Sequence, residues 1–186
     1  MKKLFTILLF GVLLSSSTAV SAQVNILMKV MDPLQINGES LINNYVNWIE
    51  LKAWQGGGCS DVLLSGGGGS GAGIGKTDDF VFQLPEDKST YYFKSQMYTG
   101  SPLQTIQIDF LVNTGGPSPL CAYRIEMVNA WVTAVRQTQN DADNRGTTNI
   151  SLKPEKFRYT YWPVMPGGTL GTAVVFGWNM ITNLPY

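Results

Sequence analysis

The 186-residue chain carries 13 basic and 13 acidic residues, and charged side chains make up only 14% of it. Without a basic excess there is no electrostatic footprint for nucleic acid. The chain contains no histidine, which excludes Ser-His and Cys-His nucleophile pairs, histidine zinc sites and the usual general base near neutral pH.

Lys2 and Lys3, the apolar run Leu4–Leu14 and the small residues up to Val20-Ser21-Ala22 read as a secretory signal peptide, residues 1–22, cut after Ala22. The apolar run is short for a membrane span, and no later stretch is long and apolar enough to make one. Residues 23–186 are expected to form one exported domain with a proper core. Its charge is near −2, from 11 basic against 13 acidic residues. Sparse charge and plentiful aromatics suit a surface hidden against copies of the same chain.

Asn25–Met31 is the first predicted strand, with Ile26, Met28 and Val30 on one face; Asp32-Pro33 ends it. After the polar connection Gln35–Asn44, Tyr45–Trp54 reads as a second strand, with Ile49, Leu51 and Ala53 opposite Glu50 and Lys52. The glycine-rich segment 55–76 is predicted to be a mobile loop, since glycine has no side chain to pack and the most freedom to lose. Within it, Val62-Leu63-Leu64 offers a short pairing or a contact to another chain. Phe80–Leu84 is a short strand ended by Pro85. Glu86–Tyr98 is the one helix candidate, with Asp87 or Ser89 as cap, Phe93 and Met97 on one face and Gly100 as its stop.

Gln104–Asn113 shows the cleanest alternation, and Asn113–Pro117 turns it into a hairpin with the longest strand-like run, Leu120–Gln137. In that run the apolar residues are Cys121, Tyr123, Ile125 and Met127, then Val128, Ala130, Val132 and Ala134. This slip of phase implies a bulge or bend inside one strand, or two shorter strands meeting at Asn129. Thr138–Gly146 is a polar loop. Thr147–Trp162 is one strand or two joined at Pro154, with Phe157, Tyr159 and Tyr161 facing one way. Pro163–Gly168 is a turn and Gly171–Trp178 the last strand. One helix among some seven closely spaced strands predicts a mainly β protein, a barrel or a two-sheet sandwich.

Little in the chain points to chemistry. Cys59 and Cys121 are permitted a disulfide by an oxidising compartment, or are two buried thiols. Asp78-Asp79 and Glu86-Asp87 read as solvated turn residues. Ser70–Thr77 is one residue short of a P-loop, and Asp78-Asp79 and a strand follow it where a helix is required, so it is no nucleotide site. No catalytic set, cofactor or metal site is expected, and the chain does not read as an enzyme. Trp48, Trp54, Trp131, Trp162 and Trp178 read as core or interface residues, or as a glycan or peptide platform in a monomeric envelope binding module.

The order of landmarks carries more. Asn47-Trp48-Ile49-Glu50-Leu51 follows Gly38-Glu39-Ser40; Asp87-Lys88-Ser89 opens the helix that ends in Thr99-Gly100. Then come Tyr123-Arg124-Ile125-Glu126-Met127, Ile150-Ser151-Leu152, Phe157-Arg158-Tyr159-Thr160-Tyr161, and Phe176-Gly177-Trp178-Asn179 with Asn183. From about Met28 to Asn183 this series resembles the haemolysin-coregulated protein (Hcp) family, the tube protein of type VI secretion systems.

The resemblance implies a β-barrel of two packed antiparallel sheets with one flanking helix. It also implies hexameric rings stacked into a hollow tube, with effector proteins in the lumen and ring contacts helped by the long loop after the second strand. The signal peptide departs from that family, whose tubes assemble in the cytoplasm. The expectation is an Hcp-like ring protein working in the periplasm or outside the cell. A sheet edge closed by a neighbouring copy need not aggregate, and the expected inter-subunit contacts are Ile106, Ile108, Arg124, Glu126, Gly167 and Gly168.

Overall fold

The computed structural model describes residues 25–32, 35–63, 71–116, 118–139 and 145–186. The expected signal peptide, residues 1–22, Pro117 and most of the loop before Gly146 lie outside them. In chain order the elements are β1 (Asn25–Asp32), β2 (Ile49–Leu51), β3 (Ala53–Gln55), β4 (Gly58–Leu63), β5 (Gly71–Thr77), β6 (Phe80–Pro85), α1 (Ser89–Thr99), β7 (Leu103–Val112), β8 (Leu120–Thr138), β9 (Thr147–Tyr161), β10 (Val174–Asn179) and β11 (Leu184–Pro185).

The fold is mainly β with one helix, as the alternation predicted, and every described strand pairing is antiparallel. A nine-stranded sheet runs β11-β10-β9-β8-β7-β1-β2, with β6 branching from β9 and pairing β3. The segment 49–54 was expected to be part of one strand, Tyr45–Trp54. It splits at Lys52, whose amide donates to the Gln83 carbonyl at 2.7 Å. Its first half pairs with β1 and its second half with β6. That change of partner puts Ile49 and Leu51 in the core and leaves Ala53 exposed, against the expected shared face. The sheet thereby wraps round a core that includes Phe80, Phe82, Ile125, Met127 and Ile150.

β8 is one continuous strand of 19 residues. Burial shifts phase within it, from Ile125 and Met127 to Ala130 and Val132, as the sequence implied. The switch falls at Asn129, whose φ of 50° turns the backbone left-handed and whose side-chain amide Nδ2 donates to Glu155 Oε2 at 2.8 Å. The register shift against β9 comes a few residues later, between Val132 and Ala134. β9 also runs unbroken, through Pro154.

The predicted mobile loop contains a β-hairpin. β4 and β5 pair as a separate two-stranded sheet from Gly58↔Thr77 to Leu63↔Gly71. Backbone hydrogen bonds make the ladder where glycine offers no side-chain pattern to read. The helix starts and stops close to expectation. Asp87 Oδ1 accepts the Ser89 amide at 2.8 Å, and Gly100, with φ 65°, closes the C-terminus by donating to Gln96 at 3.0 Å.

The connection 35–48 packs tightly over β1 and β2. Gly38 lies where an added Cβ would sit 2.4 Å from the Trp48 carbonyl oxygen and 2.5 Å from Ile49 Cα. Both are backbone atoms and give way only by moving the strand. Gly38→Ala should therefore cost about 2 kcal/mol of stability through overpacking. The check is a lowered urea midpoint at an unchanged slope.

Candidate functional site

Three features of the surface bear on function. The first is the β10 edge. β9 pairs the whole of β10, but on its other side only Trp178 and Asn179 find strand partners, in β11. Val174, Val175 and Phe176 thus present an open edge, and they are 65%, 56% and 54% exposed. Tyr161, Met165, Ile181 and Leu184, close to β10 along the chain, are also large, apolar and exposed. Open strand edges bearing such residues are pairing surfaces.

The second feature is a cleft of about 810 Å³ lined by the base of the β4–β5 hairpin and by one face of β8, β9 and β10. Cross-strand pairing puts Tyr159 opposite Phe176 and Phe157 opposite Trp178. Successive rings lie nearly parallel: Tyr123–Tyr159 at 6.0 Å and 26°, Tyr159–Phe176 at 6.2 Å and 18°, Phe176–Trp178 at 6.4 Å and 12°. Trp54 joins from the other part of the sheet, 6.2 Å from Tyr123. Burial raises both phenols, pushing Tyr159 up to about 12, so both stay protonated. Neither hydroxyl is hydrogen-bonded among the described residues. The Trp178 indole donates to Asn183 at 3.2 Å.

The third feature is a charge cluster on the opposite face of β7 and β8. Asp109, 1% exposed, accepts Arg124 Nε at 2.7 Å and Nη2 at 2.9 Å. Gln107 donates to both of its oxygens at 3.1 Å, and Tyr45, from the 35–48 connection, at 3.4 Å. Burial, then the Asp109 charge, push Tyr45 up to about 12 and the neighbouring Cys121 thiol up to about 11.

The expected site residues scatter among these features. Ile106 and Ile108 are fully buried, so they pack the chain's own core and present no side chain to a neighbour. The alternation that singled them out marks the inside of the sheet. Arg124 is engaged by Asp109, and Glu126 lies 3.9 Å from Arg158 across β8 and β9. Gly167 and Gly168 take φ of 95° and 78° in the turn before β10. Cys59 and Cys121 are not joined. Cys59 is an exposed free thiol on the hairpin, and Cys121 lies on β8 of the main sheet. Trp54 and Trp178 line the cleft, whereas Trp162 lies over Arg124 at 5.8 Å. The open β10 edge was not singled out from the sequence, although three adjoining apolar residues, Val174, Val175 and Phe176, mark it by their lack of alternation.

Among the described residues no three His, Cys, Asp or Glu side chains gather as a metal site, and no helix is long and apolar enough to cross a membrane. No curated protein sequence matches the chain. By structure it is similar to a solved type six secretion system protein, with TM-score 0.79 and 17% identity over 88% of this chain and 100% of that one. It is also similar to Hcp1 from Salmonella typhimurium, with TM-score 0.71 and 16% identity over 89% and 100%. A type VI secretion system effector from Yersinia pestis gives TM-score 0.61 and 20% identity over 83% and 98%. At these identities the likeness is one of fold. The model of the family described as "Type VI secretion system effector, Hcp" matches residues 27–161, most of the chain, and the chain belongs to that family.

Proposed function

We propose that this is a structural ring-forming protein: residues 23–186 act as one domain, six copies join edge to edge, and the rings stack into a tube that carries effector proteins. Family membership and the shared fold support this reading, and hexameric closure is what the resemblance implies. The observation that carries it is the β10 edge, where Val174, Val175 and Phe176 are each more than half exposed. A neighbouring copy that covers this edge removes both the unpaired backbone and the apolar surface from water. We further propose export, on the strength of the basic, apolar and small-residue segments of residues 1–22. The ring then works in the periplasm or outside the cell.

Light scattering with negative-stain imaging tests the assembly. A mass near six chains, seen as rings, is the expected result. Val175→Lys puts an ammonium on the open edge and should shift the protein to monomer at micromolar concentration. An unchanged mass in that variant rejects the edge as the contact. A monomeric native protein rejects the ring and favours a binding module. Full-length uncleaved chain found in the cytoplasm on fractionation rejects export.

A further inference from the structure

We propose that the cleft beneath the β4–β5 hairpin is a binding site for a small planar molecule that carries a hydrogen-bond-accepting oxygen. Its volume of about 810 Å³ falls in the range of pockets that enclose such ligands, and its wall has their usual make-up, mostly apolar with a few polar groups.

The shape selects a flat body. Tyr159, Phe176 and Trp178 succeed one another at interplanar angles of 18° and 12°, so they offer a surface of nearly common orientation. The hairpin side contributes Gly56, Gly57, Gly58 and Gly75, which place nothing beyond the backbone in the space. At Gly56 this bareness is required, since an added Cβ would lie 2.7 Å from the Trp54 ring and 2.9 Å from that of Phe80. A slot between rings and bare backbone favours a planar ligand, which stacks offset on the aromatic faces.

The polar groups select the oxygen. Tyr123 and Tyr159 bring two protonated hydroxyls, neither hydrogen-bonded among the described residues. Neither is a buried unsatisfied donor, so both are open to solvent, and a bound acceptor oxygen would take the place of water on them.

The probe is 1-anilinonaphthalene-8-sulfonate, titrated into the purified chain with excitation of tryptophan. The expected result is a saturable rise in probe emission at one probe per chain, by transfer from Trp54 and Trp178. Gly75 supplies the blocking variant. It lines the cleft, and a Cβ there meets nothing within 4 Å, so Gly75→Phe should fold normally and weaken binding more than tenfold. Tyr159→Phe keeps the ring, loses the donor and should weaken binding about fivefold, the effect of one hydrogen bond. Undiminished affinity in both variants overturns the site and moves the probe to the β10 edge. Absence of saturable binding overturns it as well. Binding by monomeric Val175→Lys but not by the assembled native protein would mean that a neighbouring copy fills the cleft, which also overturns the small-molecule assignment.

Discussion

Replacing Arg124 with methionine should destabilise the chain by about 3 kcal/mol, the cost of leaving a buried charge without its partner. Asp109 sits directly across from Arg124 in the β7–β8 ladder and is 1% exposed. In the variant its carboxylate keeps only the neutral donors Gln107 and Tyr45, which do not offset the desolvation of a full charge. The lower end of the usual range applies because the Arg124 side chain is 31% exposed. The double variant Asp109→Leu/Arg124→Met removes both charges and should recover most of the loss. Urea unfolding of Arg124→Met, Asp109→Leu, the double variant and the native chain closes the cycle. It must be run at one protein concentration, because assembly adds a mass-action contribution. A loss below about 1 kcal/mol for Arg124→Met would mean that the pair behaves as a surface bridge.

That Asp109 and Arg124 form a covered pair was not visible in the sequence, for a physical reason. Alternation along β7 and β8 separates two faces, and it marks the face of Gln107, Asp109, Arg124 and Glu126 as wet. It carries no information about what lies over that face. The 35–48 connection brings Tyr45 onto Asp109, and such a contact, 64 residues away in sequence, has no local signature. The same blindness hid the split at Lys52. Strand period shows which residues share a face, but not when a strand changes partner.

Where one face is core and the pattern is strict, the reading succeeded. β6 alternates buried and half-buried residues from Phe80 to Pro85, and the phase slip in β8 was placed within a residue of its cause at Asn129. The hairpin of β4 and β5 failed the same test because glycine, on which the reading relied, marks freedom of the isolated chain and not the backbone ladder that removes it. At the candidate sites the apolar residues chosen for a contact, Ile106 and Ile108, had the periodicity of a core, and core is where they lie. Val174-Val175-Phe176 breaks that periodicity, with exposed side chains on both faces of the strand. The aromatic cleft was not legible as such: its tryptophans, Trp54 and Trp178, were read as core or interface residues or else as a platform, and the tyrosines and phenylalanines beside them lay in strands read as core.

Phe93→Ala should be the most destabilising single change on the helical side of the molecule, at about 4 kcal/mol. α1 has 11 residues, no side-chain cap from its N-cap Lys88, no acidic residue in its first turn and no basic one in its last. A helix of that length is marginal in water, so its order depends on docking, which it does mainly on β8. Its buried residues are Ser89, Thr90 and Phe93, with Met97 packed at the margin. Phe93, fully buried, is thus the one large apolar anchor. Removing its ring leaves a cavity that Ser89 and Thr90 are too small to fill. Tyr92→Ala, one residue away on the exposed side, changes helix propensity equally but no buried packing, and should stay within about 0.5 kcal/mol of the native chain. Urea titrations followed at 222 nm separate the two. Equal effects from Phe93→Ala and Tyr92→Ala would show that the helix holds by its own propensity. A large gap between them would show that one ring, seated against the sheet, decides whether this segment is a helix at all.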